Sequence, residues 1–225
     1  ISVTTVDSET LGNFLASAED IRALATRVPG LYAESSNGRV APRFYIRGLG
    51  NTDFDLAASQ PVSIIMDDVV QENVVLKSFP LFDIDRVEVL RGPQGSLYGR
   101  NTPAGIVKFD TVKPSDVTSG YLSASTGTFG TSKVEAAIGG AIAERVDVRV
   151  SGLWQYQNNW IDNGFTGEED ALGGFEDLAG RIQANVELSS STEVLFNIHA
   201  RELVGTSSVF RANIFDAGSN DLNDF

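Results

Sequence analysis

RVDVRVSGLWQYQ, residues 145–157, alternates polar and apolar side chains along most of its length. Successive side chains of a β-strand point to opposite sides, so this alternation predicts a strand with one polar and one apolar face. The apolar face carries Val146, Val148, Val150, Trp154 and Tyr156. The opposite face carries Arg145, Asp147, Arg149, Ser151, Gln155 and Gln157. The sheet that contains this strand is therefore expected to separate two environments.

Four other stretches share this period of two, which makes five predicted strands from about residue 119 onward. The connections between them alternate between short ones, such as AER at 143–145, and a long one at 158–177. Such a meander predicts an antiparallel sheet. The four stretches are GYLSASTGTF (120–129), KVEAAIGGAIA (133–143), LAGRIQANVEL (178–188) and TEVLFNIHAR (192–201).

Two architectures fit these one-sided strands. A soluble antiparallel sandwich alternates apolar and polar residues in the same way. A membrane-spanning barrel accounts for three further details: the strands are long, the turns are tight at one end only, and Trp154 and Tyr156 lie at the long-loop end, where barrels carry an aromatic girdle. We therefore interpret residues 119–225 as the N-terminal part of a transmembrane β-barrel whose charged face lines a wet lumen.

The predicted barrel is incomplete in this chain. Five strands cannot close around another domain, since barrels that enclose one have about 22 strands. We therefore expect about 17 further strands beyond Phe225. An open sheet of five strands would leave unpaired edges, so this part of the chain is not expected to be stable alone.

Residues 1–115 mix helix and strand signals and are predicted to form a separate α+β domain. Ser17 followed by Asp20 is a candidate helix start, because the serine oxygen can accept hydrogen bonds from the free amides of the first turn while the carboxylate favours the positive end of the helix dipole. The helix that follows is expected to end at Pro29 and Gly30. Short strands are predicted in RFYIRG (43–48), VSIIMDD (62–68) and DRVEVLRG (85–92).

Composition excludes several classes of function. The 225 residues include 17 basic and 30 acidic ones, a net charge of −13, which disfavours binding to nucleic-acid phosphates. The chain has no cysteine, so it has neither a disulfide nor a thiolate metal site. No apolar run approaches the roughly 18–20 residues that a membrane-spanning helix needs.

The segment RGPQGSLYGRNTPAG (91–105) is rich in glycine and follows a predicted strand. A phosphate-binding loop is one interpretation, but that loop needs lysine and then serine or threonine after its last glycine. Here Gly99 is followed by Arg100 and Asn101. The alternative is a chain reversal in which the glycines provide positive φ angles or close backbone approach. The structural glycines of this reversal are predicted to be Gly92, Gly95, Gly99 and Gly105.

Other candidate sites have simpler interpretations. Asp67 and Asp68 are adjacent on a strand end, so they would face opposite ways and are better read as turn residues than as a metal or acid–base pair. The acidic loop at 162–170 lacks the ligand spacing of a calcium loop and is read as a solvated loop, with a surface Ca²⁺ site as the alternative. His199 has no nucleophile or ligand partner in the pattern and is expected to be a lumen-facing polar residue. We therefore predict no catalytic set, metal or cofactor, and hence no enzyme.

Four segments of the first half resemble the plug domain of TonB-dependent outer-membrane receptors, and STGTFGT (125–131) resembles the first hairpin of their barrel. The specific signal is IRG followed, about forty residues later, by VEVLRGPQGSLYGRN. The resemblance implies an α+β plug domain followed by antiparallel strands of a transmembrane β-barrel of about 22 strands, of which about five are present here. The four segments are FYIRGLG (44–50), PVSIIMDDV (61–69), LFDIDRVEVLRGPQGSLYGRNTPAG (81–105) and TVKPS (111–115).

The resemblance also implies partners and a location. Members of the family carry scarce solutes, such as ferric siderophores, cobalamin or saccharides, across the outer membrane of Gram-negative bacteria. They draw energy from the inner-membrane proton gradient through TonB, which pulls on a short box expected here upstream of Ile1. Arg47 and Arg91 match plug arginines that pair with barrel glutamates, which are expected on later strands. A guanidinium enclosed by protein needs such a carboxylate partner.

The same resemblance places three plug loops, at about 35–40, 49–60 and 71–75, on the ligand-binding side. The expected ligand contacts on these apices are Arg39, Asn51, Asp53, Phe54, Asp55, Gln60, Gln71 and Asn73. The leading hypothesis is a plug-gated active transporter that contacts its solute, TonB and outer-membrane lipid, but not nucleic acid. The alternatives are a signalling or binding receptor on the same scaffold without transport, and a soluble β-rich enzyme.

Overall fold

A computed structural model describes residues 2–15, 20–53, 55 and 57–206. The chain forms two five-stranded sheets, one from each half of the sequence, and two small two-stranded sheets. The last strand of the first sheet ends at Thr111 and the first strand of the second sheet begins at Ser119. The predicted boundary between the domains, at 115–119, lies in the connection between them.

The N-terminal domain is built on a mixed sheet with the strand order β1-β6-β7-β4-β5. A continuous apolar core covers it, and its fully enclosed side chains include Leu24, Phe44 and Phe109. The predicted strands at 43–48, 62–68 and 85–92 are confirmed as β3, β4 and β6. The elements are β1 (Ser2–Asp7), α1 (Ser8–Leu15), β2 (Leu31–Glu34), β3 (Arg43–Ile46), β4 (Val62–Met66), β5 (Val69–Val70), β6 (Ile84–Arg91), α2 (Gly95–Tyr98) and β7 (Gly105–Thr111), with 3₁₀ helices at Ile21–Thr26 and Leu76–Ser78.

The helix predicted near residue 20 begins at Ile21, and its cap is Asp20, which was expected inside the first turn. Asp20 precedes the 3₁₀ helix Ile21–Thr26, and its carboxylate accepts a hydrogen bond of 2.8 Å from the amide of Arg22. The predicted cap, Ser17, lies outside the described residues. The segment is a 3₁₀ helix, a geometry that is common in pieces this short.

The glycine-rich segment is a chain reversal that joins β6 to β7. The amide of Gly92 donates to the carbonyl of Ala104 at 2.9 Å. Gly92 and Gly99 have φ angles of 111° and 77°, as the turn interpretation predicts. Gly105 has a φ of 145°, and a Cβ there would lie 2.2 Å from the carbonyl oxygen of Leu90.

Gly95 shows neither a positive φ nor a close backbone approach, the two features for which glycine was predicted there. It begins α2 without a positive φ, and a Cβ at this position would meet the Thr102 hydroxyl at an ordinary 3.9 Å. The turn prediction is therefore corrected for this residue, because a short helical turn replaces the left-handed conformation that was expected.

Gly105→Ala is expected to destabilise the protein by more than about 2 kcal/mol, since it adds both an unfavourable φ and a clash with backbone. Gly95→Ala is the matched control, expected to be neutral or stabilising by up to about 1 kcal/mol. Thermal unfolding followed by circular dichroism measures both. Equal melting temperatures for the two variants would contradict the close approach at Gly105.

The second half forms the five long antiparallel strands that the alternation predicts, in the order β14-β13-β10-β9-β8. The turns at 144–145 and 190–191 are tight, whereas a small hairpin, β11–β12, occupies the long connection. The strands are β8 (Ser119–Thr126), β9 (Ser132–Ala143), β10 (Val146–Gln157), β11 (Ile161–Asn163), β12 (Glu168–Leu172), β13 (Phe175–Ser189) and β14 (Thr192–Gly205).

The two faces of this second sheet are inverted relative to a soluble protein. Its aliphatic face is open: Ile138, Ile182 and Ile198 are 64%, 51% and 69% exposed. Its charged face is covered by the N-terminal domain, and Arg149 and Arg181 on that face are buried. Within the described ranges, no helix is both long enough and apolar enough to cross a membrane.

Candidate functional site

The candidate site is the interface at which the N-terminal domain covers the polar face of the second sheet, together with the loops at its edge. The inward positions of β10 and β13 alternate with the exposed aliphatic ones, so every second side chain reaches the interface. Most of these inward side chains are polar and almost fully enclosed, while Leu153 and Ala179 form a small apolar cluster with Phe82. The polar ones include Arg149, Ser151, Gln155, Asp177, Arg181 and Gln183.

Asp83 is the centre of the interface. Its side chain is fully enclosed and accepts two hydrogen bonds from Arg149, at 2.8 and 2.5 Å. Arg181 lies 3.5 Å from the same carboxylate and also donates to the Asp83 carbonyl at 2.9 Å. The amide of Asp83 donates to Glu135 at 3.0 Å. We call Asp83, Arg149, Arg181 and Glu135 the Asp83 clasp, since two guanidinium groups and two carboxylates join the domain to the sheet.

Two further contacts lie beyond the clasp along the same face. Arg201 on β14 pairs with Asp177 at 2.7 Å and donates to the carbonyl of Ser78 at 2.8 Å. Arg39 donates to Gln155 at 3.0 Å, and its guanidinium carbon lies 3.9 Å from the ring centre of Phe175. The interface is therefore held by charge-assisted and cation–π contacts more than by an apolar core.

The turn at Asp67 and Asp68 contacts β14, the strand at one edge of the second sheet. Both residues have positive φ angles, 47° and 66°, which confirms the turn interpretation. The Asp67 carboxylate accepts hydrogen bonds from Thr111, Lys113 and, at 3.1 Å, from Asn197 on β14. Burial opposes ionisation of Asp67, but the hydrogen bonds from Lys113 and Thr111 outweigh it and hold the pKa of Asp67 below its usual value.

Comparison with known proteins assigns this arrangement to a family. Residues 1–106 match the family model described as TonB-dependent Receptor Plug Domain. The chain contains the plug domain of a TonB-dependent receptor. The N-terminal domain is this plug, and the second sheet is the first part of the receptor's barrel.

Relatives and solved structures agree with this assignment. The Pesticin receptor of Yersinia pestis is 29% identical over 187 residues, 81% of this chain and 26% of that receptor. The Catecholate siderophore receptor Fiu of Escherichia coli K12 is 30% identical over 129 residues, 54% of this chain and 16% of Fiu. The crystal structure of the ferric yersiniabactin uptake receptor FyuA from Yersinia pestis superposes with a TM-score of 0.81 at 25% identity, covering 90% of this chain and 32% of FyuA. The chain thus spans about a quarter of the length of the pesticin receptor.

The predicted apical residues lie on loops of the plug that are only partly enclosed. Asn51, Asp53, Asp55 and Asn73 each accept a hydrogen bond of 2.9 Å from the backbone amide two residues further on, so they shape their own loops. Gln71 is half-buried beside β5, where its side chain donates to the carbonyl of Val69 at 3.3 Å. Phe54 lies outside the described residues.

Two of the predicted contacts are already engaged inside the protein. Gln60 is only 5% exposed and accepts a hydrogen bond of 3.4 Å from the ammonium of Lys77, so we correct its assignment as an exposed apical residue. Burial lowers the pKa of Lys77 to about 8, and the charge of Glu72 offsets part of that effect. Arg39 reaches the barrel wall through Gln155 and Phe175, and is not free at the apex.

The two arginines proposed to pair with later strands lie away from the described wall. Arg47 is exposed, with a φ of 53°, directly after β3. Arg91 ends β6 and donates to the carbonyl of Pro29 at 2.9 Å and to the Ser2 hydroxyl at 2.7 Å. The pairing of both arginines with glutamates remains a prediction.

Sequence reasoning missed the Asp83 clasp. It placed Arg149 and Arg181 on a lumen face but named no partner for them. The available signal was the acidic pair in FDID (82–85), which spans the start of β6. The lumen-facing position of His199 is confirmed, since its ring packs against Phe79 with centroids 4.3 Å apart. No group of three or more His, Asp or Glu side chains in the described part of the chain is arranged to hold a metal ion.

Proposed function

We propose that this receptor imports a ferric siderophore across the outer membrane of a Gram-negative bacterium, with the plug as the gate. The observation that carries the proposal is the inverted second sheet. Its aliphatic face suits lipid, while its charged face is filled by the plug through the Asp83 clasp. A solute can pass a pore that is lined with charge and occupied by a separate domain only if that domain moves. Such passage requires no covalent chemistry.

The choice of solute rests on the relatives. They are named a catecholate siderophore receptor and a ferric yersiniabactin uptake receptor, which supports an iron chelate over cobalamin or a saccharide. The solute is proposed to meet the exposed apical residues Asn51, Asp53, Asp55 and Asn73, together with Gln71 and Phe54. Binding there is proposed to signal to TonB, which would bind a box upstream of Ile1.

Uptake of radioactive iron chelates tests the proposal. The full receptor is expressed in an Escherichia coli strain that lacks its own siderophore receptors, and ⁵⁵Fe uptake is measured for ferrioxamine B, ferric yersiniabactin and a ferric catecholate. We expect uptake of at least one chelate, lost when TonB is deleted. Surface binding of a chelate without uptake would support the binding or signalling receptor instead. Neither binding nor uptake of any of the three would contradict a siderophore substrate.

Arg91→Ala is expected to lower ⁵⁵Fe uptake while leaving the amount of surface receptor near normal. The proposed reason is that the variant removes the plug's side of an ion pair with a later barrel strand. Arg86→Ala is the control, because Arg86 lies on the same strand but makes a half-exposed pair with Asp110 at 3.0 Å. Equal uptake by the two variants would count against a gating role for Arg91.

A further inference from the structure

His199 is the only histidine among the 225 residues, and it lies where the plug meets the barrel wall. It is on the inward face of β14, and its ring packs against Phe79 with centroids 4.3 Å apart. The ring of Phe82 meets it edge-on, with centroids 5.6 Å apart. Both phenylalanines belong to the plug, and we call this pair the aromatic slot. A side chain of the wall is therefore enclosed by apolar rings of the plug.

The charged side chains nearest to His199 on the wall are cations. Arg181 lies directly opposite His199 on β13, and Arg201 follows two residues later on the same face of β14. The carboxylates that these arginines use are Asp83, at 3.5 Å from Arg181, and Asp177, at 2.7 Å from Arg201. A positive charge on the imidazole would therefore be the third cation in a row on this part of the wall.

Asp67 is the plug carboxylate whose charge also acts on His199. Its oxygens already accept hydrogen bonds from Thr111, Lys113 and Asn197. The ammonium of Lys113 balances its charge, so Asp67 offers little compensation for a charged imidazole.

The Nε2 atom of His199 is buried and, among the residues that the structure describes, has no hydrogen-bond partner. The side-chain oxygen of Gln183, an acceptor on the neighbouring strand, is likewise buried and unpaired, so it does not reach Nε2. A protonated imidazole carries an N–H at both ring nitrogens. It would bury a net charge and an unpaired N–H in the aromatic slot, whereas the neutral ring with its proton on Nδ1 buries neither.

We propose that His199 makes the docking of the plug depend on pH: the neutral imidazole fits the aromatic slot, and protonation of His199 favours release of the plug from this part of the wall. An imidazole in water takes up its proton near pH 6.5. Release of the plug exposes the ring to water, so a proton binds the released state more readily than the docked one. Docking is therefore strongest above about pH 6.5 and weakens as the pH falls below that value. This response to acid requires neither a solute nor TonB.

The expected effect of acid is about tenfold. When the docked site takes up no proton between pH 7.5 and pH 5.5, the ratio of docked to released plug falls about tenfold over this range. That ratio corresponds to about 1.4 kcal/mol, and hence to a fall of about 0.5–1.4 M in the urea concentration that releases the plug. The range stops well above pH 4, near which carboxylates in water titrate.

Proteolysis of the purified full receptor in urea tests the proposal. The measurement is the urea concentration at which a protease that is active at both pH values begins to cleave the plug. For the unmodified receptor this concentration is expected to be lower at pH 5.5 than at pH 7.5. His199→Gln and His199→Phe cannot gain a charge, so each is expected to require nearly the same urea concentration at both pH values.

Phe79→Leu is the matched control, because it alters the aromatic slot but keeps the histidine. It is expected to lower the urea concentration for cleavage at both pH values while the fall between them is kept. This control separates damage to the slot from loss of the titrating group.

Two results would overturn the proposal. One is an unmodified receptor whose plug is cleaved at the same urea concentration at pH 7.5 and pH 5.5. The other is a folded His199 variant that retains the full fall, since another group would then be responsible for it. If His199→Gln does not fold, His199→Phe decides alone, because its ring preserves the packing against Phe79 and Phe82.

Discussion

Asp83→Ala is expected to weaken the docking of the plug on the barrel wall by about 3–5 kcal/mol, because it leaves Arg149 and Arg181 buried without their shared carboxylate. Both guanidinium groups are almost fully enclosed, at 5% and 2% side-chain exposure, so water cannot replace the lost partner. The measurement is the urea concentration at which trypsin begins to cleave the plug of the purified full receptor. That concentration should fall clearly in the variant.

Asp85→Ala is the matched control for this experiment. Asp85 lies two residues further along, is exposed on β6, and its replacement changes the net charge by the same amount. The control should leave the urea concentration for cleavage unchanged, since surface substitutions of this kind have small effects. If both variants release the plug at the same urea concentration, the clasp is not what holds it.

Ile182→Arg is expected to destabilise the inserted barrel by about 2–4 kcal/mol, the cost of a charged side chain on the lipid face near the membrane midplane. Ile182 lies in the middle of β13, is 51% exposed, and is flanked by Val150 and Ile198 on the neighbouring strands. The amount of folded receptor in outer-membrane fractions, read from its resistance to unfolding by SDS before heating, measures the effect. Less folded receptor is expected.

Asn185→Arg provides the comparison on the opposite face of the same strand. Asn185 points to the lumen side and hydrogen-bonds to Glu193, so an arginine there meets a carboxylate and water. We expect nearly normal amounts of folded receptor. If Asn185→Arg were the more damaging of the two, the assignment of lipid and lumen faces would be reversed.

The fold could be predicted from the sequence to a large extent because its strongest signals are local. Period-two alternation located all five strands of the second sheet, and the same alternation correctly separated Arg149 from Val150. The glycine-rich reversal was also predicted, except that Gly95 begins a helical turn. The sequence predicted a helix near residue 20, but neither its Asp20 cap nor its 3₁₀ geometry, which propensities do not distinguish in a six-residue segment.

The candidate site was less predictable because its contacts are long-range. Gln60 looked like an exposed loop residue, but it is buried against Lys77, seventeen positions away. Arg39 looked free to meet a ligand, but its partner Gln155 is 116 positions away on the wall. The sequence around Gln60 and Arg39 does not indicate that Lys77 and Gln155 are their partners. Loop composition alone therefore did not distinguish ligand-facing residues from those that hold the plug in place.

The sequence by itself determined that one face of the second sheet is aliphatic and the other charged, because side-chain direction in a strand depends only on position along the chain. It also determined the class of the N-terminal domain through the ordered motifs around RGPQG. Only the tertiary structure decided which carboxylate the wall arginines use. Asp83 meets Arg149 and Arg181 across 66 and 98 positions, and such a pairing depends on how two folded units dock, not on the residues next to each partner.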